Sequence, residues 1–287
     1  MPDPKIAFIG GSGLYDMEGM ENRQEITVET PFGDPSDVIV VGKIEGIEAA
    51  FLPRHGRGHR FSPTEIPVKA NIYALKSLGV ERVVSVSAVG SLKEHIKPLD
   101  VVIPDQIIDR TRHRPDTFFG NGIVAHVGFA DPFCDELRNI ALESATHEDV
   151  DSHDGGTYVV MEGPQFSTRA ESALYRSWGA NVIGMTALPE AKLAREAELC
   201  YTTLAFVTDY DVWHDTEEEV TVELVIQNLT HNVATAQGII KGMLPAIPND
   251  RTCGCQSALE NAVITSRDSI TEDARNRLGV LVNKYLN

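Results

Sequence analysis

Positive charge is scarce in this chain. It sets 25 Lys and Arg against 42 Asp and Glu, a formal net charge of −17 over 287 residues. A protein that neutralises many phosphates needs a broad basic surface, so nucleic acid is excluded as a partner, and the acidic excess serves solubility. Long hydrophobic runs are missing too. No apolar stretch approaches the ~20 residues that cross a bilayer, and "MPDPKIAFIGG" lacks the basic and long apolar regions of a signal peptide. A cytoplasmic protein without a membrane partner is expected. Cysteine occurs only at 134, 200, 253 and 255, never as C-x-x-C, so the usual zinc and thioredoxin spacings are absent and no metal is expected. The dinucleotide fingerprint also fails: G-x-G-x-x-G counted from Gly11 needs glycine where Asp16 stands.

What is present is an ordinary globular composition, 42% apolar and 23% charged. Strand and helix patterns alternate. "KIAFIGGSG" reads as a buried strand running into a loop of small residues. "VIVVGKIEGIEAAFLPRHG" reads as two strands joined at Gly42–Gly46, and "PVKANIYALKSLG" has helical spacing closed by Gly79. "RVVSVSAVGSL", "DVVIPDQIID", "TYVVMEGPQF", "ANVIGMTAL" and "CYTTLAFVTDYD" are strand-like. "STRAESALYRSWG" is a helix capped by Ser167 or Thr168, and "PEAKLAREAEL" one opened by Pro189. Residues 219–244 form a long helix, and "SITEDARNRLGVLVNKYL" is helical. The pattern predicts an α/β fold: a single domain over 1–287 with a mixed, largely parallel twisted sheet flanked by helices. Residues 245–287 are expected to be a C-terminal helical appendage of that domain.

In such folds ligands lie beyond the C-terminal ends of the strands. Five polar clusters fall there: "GGSG" (10–13), "RHGRGH" (54–59), "SAVGSL" (87–92), "MTALPE" (185–190) and "TDYD" (208–211). Small residues and hydroxyls make an anion cradle, to which Arg54 adds a bidentate fork. Five of the seven residues from Arg54 to Arg60 are Arg or His. In so acidic a chain, that concentration suits one bound anion, not a polyanion.

These segments carry a resemblance that spans nearly the whole chain. With "IAFIGGSGLYD", "TPFGDPSD", "IDRTRHRP", "ADPFC", "EGPQFSTRAES", "MTALPEAKLAREAELCY" and "TDYDVW" in order, the sequence resembles the 5′-methylthioadenosine phosphorylases of the purine nucleoside phosphorylase superfamily. The resemblance implies a nucleoside phosphorylase-like fold. It also implies reversible phosphorolysis of methylthioadenosine in purine and methionine salvage, with phosphate as co-substrate and no metal or organic cofactor. It further implies a homotrimer, sometimes paired into a hexamer, with sites at subunit contacts.

By motif, phosphate would meet Ser12, Arg54, His55, Ser87, Ala88 and Thr186. Ser12 and Ser87 replace the threonine of some relatives and keep the hydroxyl. Phe166 would pack on the base and Met185 would face the ribose. Asp209 and Asp211 would take the purine, Val222 and Val225 would line the methylthio pocket, and His126 would reach into a neighbouring subunit's site. The "CGC" pair, Cys253 and Cys255, forms a disulfide in some archaeal and thermophilic relatives; two separate reduced thiols are the other reading.

The chemistry of the residues agrees. Cleaving an N-glycosidic bond leaves negative charge on the departing base, and a buried carboxyl with raised pKa can donate a proton to it. The alternative substrate is a 6-oxopurine nucleoside, inosine or methylthioinosine, whose phosphorylases carry asparagine at the position of Asp209; a carboxylate there favours the aminopurine. A non-catalytic phosphate or nucleoside sensor would not need Asp209 at the leaving group.

Overall fold

Five strands set the frame. β1 (Ile6–Gly10), β4 (Ile47–Pro53), β5 (Arg82–Ser91) and β11 (Cys200–Asp209) lie side by side and parallel, in the order β4-β1-β5-β11, while β10 (Val182–Gly184) runs antiparallel to the end of β5. The computed structural model describes residues 2–11, 13–15, 17–214 and 222–286; the side chains of 222–225, 227, 229 and 230 lie outside that description. The rest of the sheet comprises β2 (Glu21–Ile26), β3 (Ile39–Ile44), β6 (Val101–Ile103), β7 (Gln106–Arg110), β8 (Ser152–Asp154) and β9 (Thr157–Met161). The helices are α1 (Val68–Ser77), α2 (Asp135–Ala145), α3 (Arg169–Ser177), α4 (Ala187–Glu196), α5 (Val222–Ala246) and α6 (Glu272–Leu286).

The central strands are apolar at successive positions because both faces of the sheet are covered. Ala7 and Ile9 pack in one core with α1, α4 and α6; Ile6 and Phe8 pack in another with α2 and α5. The appendage joins the first of these: Ala274, Leu278, Leu281 and Val282 of α6 are buried there beside Ile72 and Leu75 of α1. Among the described residues, no helix is long and apolar enough to cross a membrane.

Several expected boundaries move. The turn between β3 and β4 is Glu45–Gly46, both at positive φ; Gly42 lies inside β3, where a Cβ would stand 2.5 Å from Met20 Cγ. "DVVIPDQIID" is two strands, because Pro104 has no N–H to continue a ladder: β6 pairs with β11 and β8, and β7 pairs with β9. β2, "ENRQEI", is polar and exposed along most of its length, so it offers no alternating pattern to read. Thr168 caps α3 in a capping box with Glu171. Leu188 is extended (φ −118°, ψ 139°), so the regular part of α4 follows it and opens at Pro189.

One feature of the register prepares the site. Along one edge of β5, β1 pairs as far as Ser85 and β10 pairs from Gly90. Residues 86–89 face neither strand on that edge. The gap lies at the same sheet end as Gly10, Pro53 and Asp209.

Candidate active site

Arg54 follows β4 directly and is buried to 2% exposure. Its Nε donates to Glu190 Oε1 at 2.6 Å, and Nη2 donates to Glu190 Oε2, Ser85 Oγ and Ile9 O. Nη1 donates to Val86 O at 2.9 Å. Burial opposes the charge, but Glu190's charge and hydrogen bonds outweigh it and hold Arg54 above the ordinary arginine pKa. The expected bidentate fork is therefore not free: Glu190 occupies it, and one Nη1 N–H is left without an acceptor among the described residues. Tyr201 Oη donates to Glu190 Oε2 at 3.1 Å, which ties this pair to β11.

The hydroxyls that the sequence assigned to an anion do converge. Ser87 Oγ and Thr186 Oγ1 are 2.9 Å apart, and Ser85 Oγ is 3.4 Å from Ser87 Oγ. Ala88 follows Ser87 in the stretch of β5 that pairs with β11 but is open on its other edge, and is half-buried. Ser12 lies outside the described residues. His55 is half-buried; its Nδ1 is 2.8 Å from Phe61 O, and its ring stacks on His59. Burial pushes His55 down to about 4, with the charges of Arg54, His59 and Arg114 adding to the effect. Near neutral pH the ring is neutral, its one proton is on Nδ1 facing the carbonyl, and Nε2 accepts. As a donor to an anion, His55 offers its backbone N–H.

A bulge sets the carboxyls. Along β11 the register with β5 shifts between Val207 and Asp209, so Thr208 has no partner. Such a bulge re-aims the next side chain, here Asp209. Thr208 Oγ1 donates to Asp209 Oδ2 at 2.7 Å, and the Asp211 N–H donates to Asp209 Oδ1 at 2.8 Å. Burial raises the Asp209 pKa despite these donors. Burial, joined by the neighbouring charge of Asp209, pushes Asp211 up to about 6. The hydroxyls of Ser172 and Ser167 work against that rise, but neither is hydrogen-bonded to Asp211: Asp211 Oδ2 and Ser172 Oγ are both buried without a partner among the described residues, and Ser167 Oγ turns to Met161 Sδ. Gly90 leaves room for these carboxyls, because a Cβ would stand 2.9 Å from Asp209 Oδ1 and 3.3 Å from Asp211 Cβ. From α5, Asn228 Nδ2 donates to Thr208 O at 2.6 Å and Asn232 Nδ2 to Val207 O, so the bulge's carbonyls are satisfied.

Phe166, in the loop between β9 and α3, is 44% exposed. Met185 is near the same loop: a Cβ on Gly163 would meet its Sδ at 2.5 Å. Arg114 pins this wall through Met185 O, Leu188 O and Glu162 O. His126 is not brought to these groups. It is exposed and lines a separate open cleft with Phe119, Phe129, Lys192 and Glu196. The side chains of Val222 and Val225 lie outside the described residues. Cys253 and Cys255 are both free thiols. Cys253 is extended (φ −74°, ψ 158°) and Cys255 sits in the 3₁₀ turn Gly254–Ser257, so the two do not bridge, and Cys253 Sγ lies 3.3 Å from Cys200 Sγ.

Glu190, Ser85, Tyr201, Gly90, Asn228 and Asn232 were not singled out in the sequence. Glu190 alone had a signal. It falls on the apolar stripe of its helix with Ala187, Ala191 and Ala194, all buried, and a carboxylate in that phase needs a buried cation.

Converging hydroxyls at strand ends, a buried arginine and two carboxyls of raised pKa are the groups that an enzyme pairing an oxyanion with a protonated leaving group would need. The family comparison narrows this class. The model of the "Phosphorylase superfamily" matches residues 5–245. An S-methyl-5′-thioadenosine phosphorylase of Koribacter versatilis is 55% identical over 281 residues, covering 98% of this chain and 96% of its own. One of Geobacter sulfurreducens is 53% identical, covering 98% and 99%. A solved methylthioadenosine phosphorylase from an antarctic soil metagenomic library superposes with a TM-score of 0.94 at 50% identity, covering 98% of this chain and 99% of its own. The chain belongs to the phosphorylase superfamily.

Proposed function

We infer that this chain catalyses the phosphorolysis of 5′-methylthioadenosine to adenine and 5-methylthioribose 1-phosphate, the pentosyl transfer by which purine and methionine are salvaged. The observation that carries the reading is the pair Asp209, buried, and Asp211, half-buried, both raised in pKa, at the same end of the sheet as the paired hydroxyls of Ser87 and Thr186. A phosphate oxygen forms the new bond to C1′ as the bond from C1′ to the purine nitrogen breaks. The base leaves with the electron pair, and a proton from the carboxyl pair meets it. Asp209, whose buried carboxyl is raised in pKa, would donate that proton to the purine, and Asp211, whose Oδ2 has no partner among the described residues and whose pKa is about 6, would hold a proton beside it.

Phosphate would take the hydroxyls of Ser12, Ser87 and Thr186, the free N–H of Arg54 and the backbone about His55 and Ala88. Phe166 would cover the base and Met185 the ribose, while Val222 and Val225 would enclose the methylthio group. A soluble homo-oligomer, a trimer or a dimer of trimers, suits the open cleft around His126, which would complete a neighbour's site. The reaction needs neither a metal nor an organic cofactor, because phosphate itself supplies the nucleophile.

Adenine release from methylthioadenosine, followed by ultraviolet absorbance, should require phosphate and survive brief treatment with a chelator. Release at full rate without phosphate would overturn the reading. Mixed oligomers of Arg54→Ala and His126→Ala chains should recover activity above the sum of the parents; no recovery would place the whole site within one chain.

A further inference from the structure

The four cysteines are far apart in sequence and converge in space. Cys134 is the residue before α2, Cys200 opens β11, and Cys253 and Cys255 lie in the segment after α5. Their four sulfur atoms all lie within 4.8 Å of one another. Three of the cysteines are buried and Cys253 is half-buried, which leaves one side of the cluster open for entry.

We propose that Cys134, Cys200, Cys253 and Cys255 form a structural zinc site that clamps the C-terminal segment onto the α/β domain. A tetrahedral zinc thiolate has bonds of about 2.3 Å, which puts its sulfurs about 3.8 Å apart. All six sulfur pairs must then be close at once, as they are here; two disulfides would require closeness in only two pairs. The ligand set is purely sulfur, which selects zinc over magnesium or calcium. Binding replaces thiol protons: one Zn²⁺ enters, up to four protons leave, and the site keeps a net charge of −2. Cys134 stands at the N-terminal end of α2, where the helix dipole favours negative charge.

The backbone around each ligand is already fixed. Cys134 N donates to Tyr201 O at 2.8 Å. Thr252, next to Cys253, donates from both N and Oγ1 to Glu136 Oε2 in the first turn of α2. Arg82 Nη2 holds Pro248 O, and Arg251 Nη1 holds Glu198 O. The site stands apart from the chemistry. Cys200 and Asp209 are the two ends of β11, about 30 Å apart at roughly 3.3 Å per residue. Zinc here would order the tail without touching the substrate.

The test is the metal content of the full chain, purified under reducing conditions without chelator and measured by mass spectrometry. One zinc per chain is expected. Stripping the zinc and adding cobalt alone should give the thiolate-to-cobalt charge-transfer and intense visible bands of a tetrahedral four-sulfur site. Cys253→Ser, at the half-buried position, should reduce the retained zinc at least tenfold and lower Tm, with room-temperature turnover unchanged as the check that the chain still folds. Three results would overturn the proposal. The first is a reduced wild-type chain that neither holds zinc nor takes up cobalt. The second is a disulfide between any two of these cysteines in the denatured, unreduced protein. The third is iron in place of zinc.

Discussion

Replacing Glu190 by glutamine leaves Arg54 charged, buried and without its counter-ion. The pair is closed at 2.6 Å with side-chain exposures of 3% and 2%, so neither water nor a rotamer change can supply a substitute. The amide keeps one acceptor oxygen but turns an NH₂ group towards N–H donors, and Tyr201 also risks losing its acceptor. Breaking one side of such a pair typically costs about 3–5 kcal/mol, because the remaining charge stays desolvated. At roughly 2–4 °C per kcal/mol for a large single domain, Tm should fall by about 6–20 °C. The double change Arg54→Met with Glu190→Leu removes both charges and keeps the volume. It should cost less than Glu190→Gln alone, though it should abolish phosphate-dependent turnover. Scanning calorimetry of the three proteins at one concentration gives the comparison. A single variant within about 1 kcal/mol of wild type, or a double variant less stable than Glu190→Gln, would refute the view that Arg54 is charged and held by Glu190.

Asp209→Asn should reduce adenine release by about 10²–10³ and affect hypoxanthine release from the matching 6-oxopurine nucleoside much less; equal losses would make Asp209 structural. The Asp211 carboxyl has a native pKa of about 6 against an ordinary 3.8, so the native state favours its proton. Its stabilising effect is complete below the unfolded value and is lost as pH rises through about 6. Asp211→Asn, which carries no charge, should therefore exceed wild type in stability at pH 7.5 by up to about 3 kcal/mol. That gap should close as pH falls towards 4; a gap independent of pH would show that burial of the Asp211 charge is not its origin. Gly90→Ala puts a methyl against Asp209 Oδ1 and Ile183 Cγ2. It should cost about 1–3 kcal/mol in denaturant unfolding and displace the carboxyl, so turnover should fall; unchanged kcat/KM would mean that the Asp209 position is not critical.

The sequence by itself determined the class of fold and the places where chemistry could lie. Continuous apolar runs such as "IAFIG" and "LAFV" can be buried only in a sheet covered on both faces, and the polar clusters after them had to emerge at strand ends. Hydroxyls at 87 and 186 and carboxyls at 209 and 211 were legible for that reason, as was the cap at Thr168. The partner of Arg54 was not. Whether a guanidinium forks towards an anion or is held by a carboxylate depends on which helix packs above it, and Glu190 lies 136 positions away. The bulge at Thr208 depends on the register against β5, which local pattern does not encode. β2 escaped notice because an exposed polar edge strand has no apolar phase. The cysteines make the same point most plainly: no local spacing joins 134, 200, 253 and 255, and only the meeting of a helix start, a strand start and the C-terminal turn puts four sulfurs within 4.8 Å. Local pattern fixes which face of each element is apolar. Contacts between distant elements are fixed by how those faces pack, and the tertiary structure alone decides them.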